Sequence, residues 1–414
     1  MNWKPIVLII VTAVYIYHLI LNIIHMRSAK NPIPENVSDV YDPETYHQWR
    51  AYHGEKSRFS IFTSTVSFIL EVILLSSNLY AAFAKLFIPN DITQLFAVLL
   101  LSALSSLLLI PFSWYETMKI EGKYGFNKTT PKTFILDQIK SFVIELGLMT
   151  GIGYLLRSLH VFLGDWLIVA FTAAMMFFIL LFAFLYPFFS RIFNKFTPLE
   201  DGELKDKLTA LLEKNGYHPR AIEVMDASRR TTKSNAYFTG FGKLKTIVLY
   251  DTLVASMTPD EICAVFAHEL GHGLHKDTLR NQILTFLQMI VLGVLAWLTL
   301  RTPDMFLSFG FDKVNYGFAL ILIMGAEFAL ISPLFALLIN YFSRKAEYLA
   351  DRQAVKEGYG AELISALKKL ARQNFSELSP DPLLVKLEYS HPPLSARIDA
   401  IEKSLANHGF REGE

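Results

Sequence analysis

The chain has 414 residues, 52% of them hydrophobic and 33 of them Phe, and its mean hydropathy is positive. That composition lies above the soluble range and predicts a membrane protein. Lys+Arg 39 against Asp+Glu 38 leaves a net charge of +1, which gives no basic field for nucleic acid, and a single cysteine excludes an internal disulfide framework.

Crossing a bilayer takes about 20 apolar residues. Seven stretches qualify, at about 4–25, 60–88, 93–116, 138–161, 165–192, 279–301 and 315–341. Several exceed the required length, which predicts helices that tilt or project into solvent. The first stretch lacks a small-residue cleavage pattern and is followed by Arg27 and Lys30, so it reads as a retained helix and not a signal peptide. The expected organisation is a membrane domain of five helices over 1–192, a soluble insert over 193–277, two further spans over 278–342, and a C-terminal helical region over 343–414.

With seven spans, residues 26–58, 117–137, 193–277 and the C-terminal tail share one side. The two short loops there, with their flanks, carry ten Lys/Arg, against five on the other side. The positive-inside rule places the insert and tail in the cytoplasm and the N-terminus outside. Glu71, Glu145 and Glu327 fall well inside predicted spans. A carboxylate facing lipid is costly, so they are expected to face a partner, a packed interior or water, and three in three spans favour a polar interior.

The insert begins with an amphipathic helix, Leu204 to Leu212, ending at Asn215-Gly216. Strand-like runs follow at Ala221–Met225, Ala236–Phe241 and Thr246–Tyr250, with Gly240, Gly242 and Lys243 as turn material. A small sheet here could hold an extended peptide by its edge, or simply cover the next helix. That helix starts at Thr258-Pro259-Asp260-Glu261, with Thr258 as N-cap, Pro259 at the first helical position and Glu261 closing a capping box. It carries Ala267-His268-Glu269-Leu270-Gly271-His272. Two histidines four apart share one helix face, so both imidazoles can reach one Zn²⁺, and the glutamate beside the first points at the metal's open position. Cys263 lies five residues before His268 and reads as a small core residue, since buried free cysteine is common.

A third ligand must come from elsewhere. Ser343-Arg344-Lys345-Ala346-Glu347-Tyr348-Leu349-Ala350-Asp351 follows the last span and sets Glu347 and Asp351 on one helical face. That spacing suits a ligand with a second carboxylate orienting an imidazole, though charged clusters at membrane exits are also common.

AHELGH, SRKAEYLAD, SNAYFTG before the zinc helix, FTPLEDGELK, TIVLYDTL and HPP in the tail together resemble the type I CAAX prenyl endopeptidases, integral-membrane zinc metalloproteases of the gluzincin kind. The likeness spans nearly the whole chain. It implies a mainly α, polytopic fold, seven transmembrane helices forming a barrel around a large internal chamber, with a small α/β metalloprotease insert. It also implies one Zn²⁺ on His268, His272 and Glu347, with Glu269 as the catalytic glutamate and Asp351 behind a ligand. Asn235 resembles the residue that holds the substrate backbone. His391 resembles the one that contacts the substrate carbonyl or stabilises the intermediate. Partners expected on this likeness are the lipid bilayer and a peptide or protein substrate, prenylated or membrane-associated, with no nucleic acid. Chain length and the GFREGE ending suggest a bacterial member in the cytoplasmic membrane, with the endoplasmic reticulum as the alternative.

Three other readings compete. A membrane quality-control metalloprotease shares the chemistry, but relatives of that sort have fewer spans before the motif. A transporter accounts for spans and buried glutamates but not for AHELGH with SRKAEYLAD. An inactive scaffold with structural zinc has no need of Glu269.

Overall fold

A computed structural model describes residues 1–218, 221–239, 246–275 and 277–409. The expected turn residues Gly240, Gly242 and Lys243, with Phe241, lie outside the described residues.

Helices dominate. α1 (Lys4–Ser28) and α2 (Pro43–Ser76) run side by side, followed by α3 (Asp91–Ser106), α4 (Pro131–Leu163) and α5 (Leu167–Phe193). Six helical stretches are long and apolar enough to cross a membrane, and one of them, Pro131–Tyr186, contains both α4 and part of α5. The chain turns between those two at Gly164, whose φ of 54° suits a residue without a Cβ. Seven helices thus occupy the seven expected positions. The second expected span differs in extent. Its helix starts much earlier, capped by Asp42 accepting from Thr45, and ends at Ser76. Asn78 takes the left-handed conformation and a separate short helix, Leu79–Ala84, follows. Apolar content alone did not reveal that break, because both pieces are apolar.

The two groups of loops meet in space. On one side Tyr41 donates to the carbonyl of Ala371, Trp49 to that of Phe375, and Lys128 N–H to that of Arg230. On the other, Lys313 and Arg157 both pair with Asp91, and the N-terminal amine pairs with Asp304.

The insert contains α6 (Glu203–Lys214) and a four-stranded sheet. Its strands are β1 (Phe196–Pro198), β2 (Ala221–Met225), β3 (Ala236–Thr239) and β4 (Thr246–Tyr250), in the order β1-β2-β4-β3. β2 and β4 are parallel, with Ala221 opposite Thr246 and Met225 opposite Tyr250; β1 and β3 pair antiparallel at the two edges. β1 was not among the expected strands, since three residues ending in Pro carry no alternating pattern.

α7 (Pro259–Leu274) lies between this sheet, α6 and the C-terminal helices. The capping box forms as expected: Glu261 N–H donates to the Thr258 hydroxyl at 3.3 Å, and Thr258 N–H to Glu261 Oε2 at 2.8 Å. α8 (Asp277–Leu300) returns along α5. The last span begins at Tyr316 and continues into α9 (Phe328–Lys356), so the SRKAEYLAD run is the same helix carried past the membrane segment. α10 (Gly360–Gln373), α11 (Pro382–Leu387) and α12 (Leu394–Gly409) close over it. α7 and α9 approach closely at Gly271, where a Cβ would stand 2.7 Å from the Ala350 Cα.

A hollow of about 600 Å³ separates α1, α2 and the turn at 324–326, lined by His18, Asn22, Ser64, Ser67 and Glu71 among others. Glu71 therefore lines a hollow of mixed character, which Val11, Val14, Phe68 and Met324 line as well. Glu327 accepts a hydrogen bond from Thr299 of α8, and Glu145 is exposed.

Candidate metal centre

α7 presents His268 and His272 on one face, and α9 brings Glu347 against them. His268 Nε2 lies 3.5 Å from Glu347 Oε2, His272 Nε2 lies 3.3 Å from Glu347 Oε1, and the two Nε2 atoms are 3.2 Å apart. The far ring nitrogens are each committed to a carboxylate. His268 Nδ1 donates to Asp351 at 2.9 Å and His272 Nδ1 to Asp277 at 3.0 Å. Those bonds fix the tautomers, so both Nε2 lone pairs point at one another and at a carboxylate. Three acceptors converging on one point repel unless a proton or a metal ion lies among them. Buried Glu347 Oε2 has no hydrogen bond, only ion-pair contacts to His268 and Arg397. Two imidazoles and one carboxylate, each imidazole backed by a carboxylate, fit zinc with a coordination position left open.

Arg397 from α12 lies behind the cluster. Its guanidinium grips Asp351 with Nη2 at 2.6 Å and Nε at 3.0 Å, and its Nη1 is 3.2 Å from Glu347. Burial works against its charge, but Asp351 and Glu347 more than offset that and raise its pKa. Burial opposes charge on His272, yet Glu347 and Asp277 outweigh it and raise the imidazole's pKa to about 9, so a proton holds the Nε2 position wherever no metal takes its place. Cys263 is fully buried and burial pushes its thiol up to about 11, as suits a core residue and not a ligand.

A cavity of about 500 Å³ opens in front of the cluster, and Glu269, His272, Glu347, Ser390 and His391 line it. Glu269 is half-buried at its wall. His391 is exposed and sets Nδ1 2.9 Å from Glu347 Oε1. The structure thus brings together His268, Glu269, His272, Glu347, Asp351 and His391. Asn235 is not in this group: it sits exposed before edge strand β3, its side chain accepting from Ala236 N–H at 2.9 Å. Asp277 and Arg397 were missed by sequence reasoning. Asp277 opens α8 directly after the motif, and its position there was the available signal; Arg397 carries none, since only tertiary packing brings α12 to the site.

A helical membrane protein with a His/His/Glu centre beside a free glutamate is a membrane-embedded zinc metallopeptidase. Residues 198–405 match the model of peptidase family M48, and residues 22–195 match the model described as CAAX prenyl protease N-terminal, five membrane helices. Similar curated proteins include CAAX prenyl protease 1 of Saccharomyces cerevisiae, 32% identical over 91% of this chain and 90% of that protein. The CAAX prenyl protease 1 homolog of Arabidopsis thaliana is 34% identical over 94% and 95%. Among solved structures, that of S. mikatae Ste24p superposes with a TM-score of 0.89 at 30% identity, covering 97% of this chain and 99% of that one. The chain belongs to peptidase family M48, in its CAAX prenyl protease 1 branch, and is a zinc metalloendopeptidase of the membrane with the helical-barrel fold of that branch.

Proposed function

We propose that the protein cuts prenylated or membrane-held proteins near a lipid anchor, using one zinc ion held by His268, His272 and Glu347. The convergence of two Nε2 lone pairs and a carboxylate on one point carries this reading. His268, His272 and Glu347 would hold the zinc, which would supply there a water acidified toward pKa about 7 and a Lewis acid for the scissile carbonyl. Glu269, at the wall of the same cavity, takes the proton of the attacking water and delivers it to the leaving amine. His391, which lines the same cavity, donates to the oxygen that gains charge. Asp351 and Asp277 keep both imidazoles in the liganding tautomer. Asn235 stands at the head of β3, whose outer edge is unpaired among the described residues, and would hold the substrate backbone as it adds to that edge.

The names of the relatives support a prenylated substrate. The lysine and arginine bias of the short loops supports a cytoplasm-facing site. Fungal and plant relatives favour the endoplasmic reticulum over the bacterial membrane suggested by chain length.

Purified protein incubated with a farnesylated CAAX peptide and its unmodified twin, with and without chelator, tests the reading. Chelator-sensitive cleavage after the prenylated cysteine is expected. Cleavage of unrelated peptides alone would assign it to quality control, and no cleavage at all would sink the enzymatic mechanism.

A further inference from the structure

The segment carrying His391 has no regular structure of its own. It leaves α11 at Leu387 and joins α12 at Leu394. An exposed imidazole on such a segment samples many positions unless the backbone beneath it is fixed. Two anchors fix it.

The first is Arg344. Its Nη1 donates to the carbonyl of Val385 at 2.8 Å and to that of Tyr389 at 2.7 Å, and Nη2 donates to Lys386 at 3.4 Å. One guanidinium thus caps the last carbonyls of α11 and holds the backbone two residues before His391. Arg344 lies three residues before Glu347 on α9. A single helical turn therefore presents both the Glu347 carboxylate and the group that places His391 against it.

The second anchor is Tyr389 itself, whose hydroxyl donates to Glu377 Oε2 at 2.8 Å. Glu377 is tied to the end of α1: its Oε1 accepts from Ser28, and its Oε2 lies 3.2 Å from His25 Nε2. Both Glu377 oxygens are engaged by groups of the protein. The cluster of His25, His53 and Glu377, although its ligand-type atoms lie within 4.8 Å of one another, is thereby accounted for as an anchor.

We infer that Arg344 and the Tyr389–Glu377 pair are positioning residues that set His391 for the reaction. This rests on the role proposed above for His391. Displacing a reacting group by about 1 Å can cost on the order of a hundredfold in rate. Lysine at 344 would not substitute, because an ammonium is a point charge and lacks the planar fork that spans several carbonyls.

The test uses the full chain in lipid, with R344K, Y389F and H391A, and R344K combined with H391A. Zinc content, kcat and KM are measured for each. Expected for R344K is native zinc content, a KM within about twofold and a kcat lowered roughly tenfold to a hundredfold. Y389F should follow with a smaller loss. On the H391A background R344K should cost nothing further, a coupling that a general structural role would not produce. Equal losses with and without His391, or native kcat in R344K, would overturn the inference while leaving the role of His391 standing. Native kcat in H391A would remove that role and the inference with it.

Discussion

α1 and α7 are both apolar helices, yet they face opposite solvents. α7 is buried on nearly every side, from Glu261 to His268 without interruption. α1 buries Val7 and Val11 but exposes Ile9, Ile16 and Ile20, which stack as one stripe on its other face. Its polar residues, His18 and Asn22, look inward at the hollow beside Glu71. Around α7 the apolar residues form the inside and water the outside; around α1 polar residues line a hollow on one face and the apolar stripe awaits lipid on another. Hydropathy therefore reports burial only after the solvent is known.

The largest effect is expected at the zinc helix. Asp351→Ala would take away the main partner of the buried Arg397 charge, leaving it only Glu347, and free His268 Nδ1, at a cost of about 3 to 5 kcal/mol. Thermal unfolding in nanodiscs should show it, with zinc lost; native stability would mean Arg397 finds another partner. Ile16→Asp puts a carboxylate on the outer stripe of α1, and a penalty of about 2.5 to 3.5 kcal/mol is expected in an insertion assay. A negligible penalty would show that this face meets water, and the contrast between the helices would break. Gly271→Ala forces α7 away from Ala350, an overpacking expected to cost about 1 to 3 kcal/mol and to loosen zinc, read by unfolding and by metal titration.

The smallest effect sharpens the comparison through pH. Burial raises the Glu261 pKa, but Lys369, Ser365 and the Thr258 N–H lower it more, to a net value below the ordinary carboxyl one. A folded pKa below the unfolded one stabilises the protein above the unfolded value of about 4.3, and that gain fades as pH falls through the folded value. Glu261→Gln should therefore cost about 1 kcal/mol at neutral pH and little in acid, measured as the gap between the two unfolding curves. A gap independent of pH would mean the capping bond matters and the charge does not.

Much of this was legible in the residues because local rules wrote it. Thr258-Pro259-Asp260-Glu261 predicts its own capping box, His268 and His272 share a face by helical period, and Glu347 with Asp351 repeats that spacing. What stayed hidden depends on tertiary approach. Arg397 arrives from α12, 129 residues beyond His268. Arg344 reads as one charge among several until α11 folds against it. β1 has no alternation to betray it, and the break at Asn78 is marked only by Ser76-Ser77-Asn78 between two apolar pieces.

α9 has one more consequence. It carries Leu338, apolar and exposed, and Glu347 on a single continuous helix. Nine residues of helix span about 14 Å, and an extended peptide covers that with about four residues. On the proposed reading, the helix acts as a ruler, setting the height above the bilayer at which a bond can be cut. Lengthening the spacer between anchor and bond in a lipidated peptide should shift the cut to stay at that height; a cut that follows the sequence instead would show that the ruler is not used.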